Sequence, residues 1–132
     1  MMIRWSAIWG FLGVATGAFG AHGLKNSVTV NDLNIWNTGC RYVLIHAVVL
    51  LCISVLYHSK PHRKLVHIAR CFNLGCLIFG GSLWLLVLTD QRWLGAITPI
   101  GGLCFIIGWI LIFLLPNTEV FERDETHMNS PK

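Results

Sequence analysis

The sequence predicts an all-α integral membrane protein, a four-helix transmembrane bundle with both termini in the cytoplasm (N-in, C-in). Three observations predict it. Hydrophobic residues make up 55% of the 132 positions and charged residues only 12%, about half the charged fraction of an ordinary soluble domain. The charges are also unevenly spread, leaving residues 5–24, 42–59, 71–89 and 93–118 without any Asp, Glu, Lys or Arg. Twenty helical residues cover about 30 Å, the thickness of a hydrocarbon core. Continuous apolar runs of this length read as helices, because barrel strands show alternating segments of about 10 residues. Finally, Arg4, Lys60, Arg63, Lys64, Arg70, Arg123 and Lys132 fall on one side of the implied topology and only Lys25, Arg41 and Arg92 on the other. An excess of Lys and Arg marks the cytoplasmic side. The same placement accounts for the net charge of +4 without a nucleic-acid partner, which would call for a clustered basic surface.

The first helix is expected over residues 5–24. Arg4 ahead of an apolar run resembles a secretory signal, but the run continues to Leu24, longer than a signal core, and is read as a retained span. Gly10, Gly13, Gly17 and Gly20 recur at spacings of three and four, which places them on one stripe about 80° wide. Small stripes let helix backbones approach, as in the GxxxG pattern of Gly13 and Gly17. Thr29, with Asp32 three residues on, has the form of a helix-capping box and predicts a short interfacial helix before the second span.

The second span is expected over residues 40–57, with Gly39, Tyr42 and His46 on one face, followed by the basic loop 58–67. The third, residues 68–89, and the fourth, residues 94–115, are joined by the turn 90–93 and so form an antiparallel hairpin. In the fourth, Thr98, Gly101, Gly102, Phe105, Gly108, Trp109 and Ile112 form a seam of small and aromatic residues, and Pro99 is tolerated in a first helical turn. Trp5 and Tyr57 are expected as inner interfacial anchors and Trp36, Tyr42 and Trp93 as outer ones. Trp9, Trp84 and Trp109 are expected between helices. These spans make one domain over residues 1–115. The polar, acidic stretch 116–132 reads as an unstructured cytoplasmic tail.

Ionisable groups inside a membrane are costly and mark functional candidates. His22 lies three residues from Lys25 and His46 five from Arg41, which puts both within about 8 Å of the outer surface. Sharing a leaflet, they admit three functional readings, a shared metal, a haem with two imidazoles, or a proton path, beside the structural one in which each ring hydrogen-bonds to a neighbouring helix. Asn73 is suited to bonding across helices, and Ser82 and Thr98 to capping their own backbone carbonyls. The cluster His58, Lys60, His62, Arg63, Lys64 and His67 suits anionic lipid headgroups as well as it suits orientation. The five cysteines show no CxxC pair and read as small apolar residues. No phosphate-binding loop, HExxH, GxSxG or spaced carboxylate pair is present, so no catalytic residue and no cofactor is assigned.

Residues 17–24 (GAFGAHGL), Tyr42, His46 with Ala47, Gly81-Ser82-Leu83, residues 93–102 (WLGAITPIGG) and Gly108-Trp109 together resemble the domain-of-unknown-function 423 family. This family comprises YgdD-like small bacterial inner-membrane proteins and is similar to animal transmembrane protein 256. The resemblance implies a multi-pass inner-membrane protein of four helices and carries no activity with it. Trp84 departs from a Tyr-like residue expected after the Gly-Ser pair, and Gly39-Cys40 from a Thr-Ala pair. Beyond the bilayer, the partners expected are a second copy or another membrane protein. The leading expectation is a non-enzymatic membrane subunit or assembly factor. The alternatives are a permeation unit for small solutes or ions, and haem or metal binding through His22 and His46.

Overall fold

In the computed structural model, which describes residues 2–116, the chain folds as antiparallel helices long and apolar enough to cross a membrane four times. The first crossing is α1 (Met2–Phe19), prolonged by a π turn (Gly20–Leu24). The second is α2 (Val30–Ser59). The third is α3 (Arg63–Gly75), a π turn (Cys76–Gly80) and α4 (Gly81–Thr89). The fourth is a 3-10 turn (Arg92–Ala96) followed by α5 (Thr98–Phe113). The four crossings and the all-helical fold class are as the sequence predicts. Of the tail expected over residues 116–132, all but Pro116 lies outside the described residues.

The second crossing differs from expectation, since the expected interfacial helix and the expected span are one uninterrupted helix. Its start is set by Thr29, whose Oγ1 accepts from the Asp32 N–H (3.1 Å) and donates to Asp32 Oδ2 (2.7 Å). These bonds consume one of the amide groups that a helix start leaves without a partner. Arg41, taken from the sequence as a boundary, instead projects from the middle of a helical stretch on an exposed face. At the other turn, Asp90 adopts a left-handed conformation (φ 55°) that ends α4, a place where short polar side chains substitute for glycine. Pro99 sits in the first turn of α5, where its missing N–H costs nothing.

α1 packs chiefly along α2, and α3 with its π turn chiefly along α5, while α2 lies between and also meets α4. The main core runs through Trp9, Val43, Leu50, Leu65, Ile68, Phe72 and Phe105. A smaller cluster of Leu24, Trp36 and Cys40 lies near the opposite end. Trp36, expected as an outer anchor, is 2% exposed. Its indole N–H donates to the Thr16 carbonyl at 2.8 Å, an internal partner that removes the reason for a tryptophan to sit at a wet interface.

Candidate functional site

The intramembrane polar groups divide by the helices that hold them. His46 projects from the middle of α2 and is 4% exposed. Its Nδ1 lies 2.8 Å from the Tyr42 carbonyl and its Nε2 3.3 Å from Trp109 Nε1. A carbonyl only accepts and an indole N–H only donates. The neutral ring with its proton on Nδ1 therefore satisfies both contacts at once. The ring is stacked on Phe105, with centroids 3.7 Å apart and planes 9° from parallel. Phe72 lies 5.3 Å away, and Tyr42 is stacked on Phe79 at 4.6 Å. Aromatic pairs in such arrangements add to simple burial.

Two phenyl rings of this cluster are seated on glycines of the facing helix, and the backbone of Phe79 meets a third. A Cβ on Gly75 would collide with the Phe105 ring, one on Gly108 would come within 2.8 Å of Phe72, and one on Gly101 would strike the backbone of Phe79. α3 and α5 thus exchange knobs reciprocally, Phe72 into Gly108 and Phe105 into Gly75. At the π turn the two backbones themselves touch. The sequence points to Gly101, Gly108, Phe105 and Trp109 as a seam. Phe72, Phe79 and Gly75 escape it, because nothing in the third segment marks which rings meet glycines across the seam.

Asn73 bonds across helices as expected, its Oδ1 accepting from Trp9 Nε1 at 2.8 Å while its Nδ2 donates to the Ala69 carbonyl. Ser82 and Thr98 lie 2.8 Å apart, joining the third crossing to the fourth, and each also reaches a carbonyl of its own helix. Ser6 Oγ donates to the Ala47 carbonyl at 3.1 Å.

His22 is not part of this cluster. It is exposed on the first π turn. Thr16 bonds Cys40, Leu44 packs on Gly13, and Ser6 reaches Ala47, so His46 lies level with about residue 9 of α1. That is roughly 18 Å along the axis from His22. The expectation that the two rings share a leaflet is corrected accordingly. Arg41 does not mark where the second crossing starts, because α2 begins eleven residues before it.

The glycine stripe of α1 packs on α2 at two of its four positions. A Cβ on Gly13 would meet the Leu44 side chain at 2.7 Å and one on Gly20 the Trp36 ring at 2.6 Å, whereas one on Gly10 or Gly17 would meet nothing of another helix within 4 Å among the described residues. Only one edge of the stripe faces α2. Gly102 is likewise loose, a Cβ there meeting only Phe79 Cδ2 at 4.0 Å among the described residues.

An ion pair that the sequence does not reveal closes the end opposite the N-terminus. Arg92 Nη1 lies 2.5 Å from Asp32 Oδ1, and Arg92 Nη2 lies 2.6 Å from Asp90 Oδ1. Asp32, which sequence reasoning treats as a cap alone, therefore also ties the start of the second crossing to that of the fourth. Among the described residues no three His, Cys, Asp or Glu side chains gather in a metal-binding group. The described cysteines are unpaired.

A family model described as a protein of unknown function (DUF423) matches residues 16–102. A UPF0382 membrane protein of Bacillus subtilis, YwdK, is 41% identical over 107 residues, covering 80% of this chain and 87% of its own length. One of Staphylococcus saprophyticus is 37% identical over 108 residues, covering 82% and 89%. One of Staphylococcus aureus is 38% identical over 114 residues, covering 86% and 93%. No solved structure matches the chain.

Proposed function

The chain belongs to the DUF423 family of membrane proteins, and from that premise we propose that it acts as a non-enzymatic membrane subunit or assembly factor, oriented N-in and C-in. The observation that carries this reading is that His46, Asn73, Ser82 and Thr98 spend their polar atoms on the fold itself, while among the described residues the indole N–H of Trp84, a donor alone, is the side-chain group left buried without a partner. Both nitrogens of His46, both polar atoms of Asn73 and the hydroxyls of Ser82 and Thr98 are bonded to protein partners. Satisfied polar groups of this kind join helices. A reacting site would leave a nucleophile, base or ligand atom free to face a substrate. The His22 and His46 haem reading would require the indole of Trp109 to leave Nε2 and the two histidines to be bridged across about 18 Å. The permeation reading would require a polar path in place of the ring stack on Phe105.

The partner-facing surface in this reading is the outer edge of α1, where Gly10 and Gly17 are open and the flanking Phe11 and Val14 are exposed. Photo-crosslinking from a residue-14 probe in native membranes is expected to recover one discrete adduct, either a second copy or another membrane protein. Gly10→Leu with Gly17→Leu is expected to abolish that adduct while the monomer still folds. Recovery of lipid alone from position 14, in parent and variant alike, would defeat the subunit reading. A Soret band or a His46-dependent ion leak from the purified protein would replace it with one of the alternatives.

A further inference from the structure

We propose that the groove between α1 and α3, at the end of the bundle carrying the N-terminus and the α2–α3 turn, binds an anionic phospholipid, with the lipid phosphate on Arg70 and an acyl chain running along Leu74 and Leu77. The groove has a volume of about 540 Å³ and is walled on one side by Trp5 and Trp9 and on the other by Arg70, Asn73, Leu74 and Leu77. That volume is within the range of ligand pockets, about 300–1,000 Å³. It exists because α1 leans on α2 and approaches α3 through the Trp9–Asn73 bond, which forms the groove floor.

Chemistry selects the occupant. Asn73 has spent its polar atoms on Trp9 and Ala69. Arg70 has no hydrogen bond and no carboxylate within 4.0 Å among the described residues, and neither does the indole N–H of Trp5 have an acceptor there. An unspent guanidinium and an unspent indole N–H therefore open onto an otherwise apolar wall. Arg70 lies seven residues inside the start of α3, about 10 Å deeper than Arg63. A cation at that depth demands a counter-charge, and a membrane offers one as a lipid phosphate. A guanidinium recognises phosphate through two parallel hydrogen bonds.

The exposed face of α3 has the same polarity as a lipid. Arg63, His67 and Arg70 recur at four and three residues and are exposed, and the same stripe continues as exposed Leu74 and Leu77. The change from basic to apolar falls between residues 70 and 74, where the glycerol backbone of a bound lipid would lie. Basic recesses between spans are established sites for anionic headgroups.

The test uses the full chain in phosphatidylcholine vesicles containing equal mole fractions of phosphatidylglycerol or phosphatidylcholine with brominated acyl chains, which quench tryptophan on contact. Brominated phosphatidylglycerol is expected to quench more strongly, and Trp5→Phe to remove most of the excess. Arg70→Gln is expected to lower the relative affinity about fivefold, and Arg63→Gln, at the shallow end of the stripe, to lower it less. Leu74→Phe, which keeps the charge and fills the groove, is expected to reduce quenching at Trp5 by both lipids, and it tests the site even should Arg70→Gln fail to fold. Equal quenching by the two lipids in the parent protein would overturn the proposal. So would an unchanged preference in a folded Arg70→Gln, or loss of the preference on adding inorganic phosphate, which would identify a site for a free anion.

Discussion

The α3–α5 seam and the α1–α2 seam both rest on glycine, yet they use it differently. Along α5, Gly101 and Gly108 face the backbone of Phe79 and the ring of Phe72, so removing the side chain is a condition of contact. Along α1, Gly13 and Gly20 face the side chains of Leu44 and Trp36, and Gly10 and Gly17 face open space. The first seam is locked by backbone and stacked rings. The second is held by hydrogen bonds to carbonyls, from Ser6 to Ala47 and from Trp36 to Thr16. What a glycine does in a membrane helix is decided by what stands opposite it, which its own spacing does not record.

This difference sets the ranking of substitutions. Gly101→Ala places a methyl group within 2.8 Å of the Phe79 Cα and closer still to its amide nitrogen. Backbone cannot rotate away, so the helices must separate, at a cost near or above about 3 kcal/mol, the upper part of the overpacking range. Thermal unfolding of the detergent-solubilised variant should show the largest loss of any glycine replacement, and an unchanged melting temperature would mean that the two backbones do not touch.

His46→Ala comes next. It leaves the Trp109 N–H without its acceptor and strips Phe105 of its stacking partner, together about 2 kcal/mol. His46→Gln, whose side-chain oxygen can accept from Trp109, should recover part of the loss. Equal destabilisation by both would show that the Nε2 bond contributes nothing and that ring volume alone matters.

How much of this was legible differs by region for the same reason. The four crossings are legible in charge-free runs, the Thr29 cap in a four-residue pattern, and the α5 seam in Gly101, Phe105, Gly108 and Trp109. Each is a local feature. The depth of His46 is not legible, because a charge at Arg41 does not end a helix whose exposed face can carry it. The place of Trp36 is not legible either, because an indole at that level suits a wet boundary and a buried carbonyl equally, and only the position of Thr16 decides. The Asp32–Arg92 pair joins residues sixty apart, and neither has a sequence signature beyond its local role.

Gly13→Ala is expected to fall below both, at about 1 kcal/mol, since the methyl group meets a leucine side chain that can change rotamer. Leu44→Ala in the same chain should relieve that clash, and a double-mutant cycle in which the two changes simply add would show that residues 13 and 44 are not neighbours.

The smallest effect is also of opposite sign. Gly10→Ala adds a methyl group where no other helix among the described residues comes within 4 Å and removes a flexible residue from the interior of α1, which should raise the stability of the isolated chain by about 0.5–1 kcal/mol. Gly10 and Gly17 are seven residues apart, two turns on one line, so Gly17→Ala should behave alike and the two gains should add. If both substitutions stabilise the purified chain yet weaken its crosslinked adduct in native membranes, the open glycines are retained for contact with a partner at the expense of monomer stability. If they stabilise the chain and leave the adduct unchanged, that edge of α1 faces lipid, and only the edge carrying Gly13 and Gly20 belongs to a helix interface.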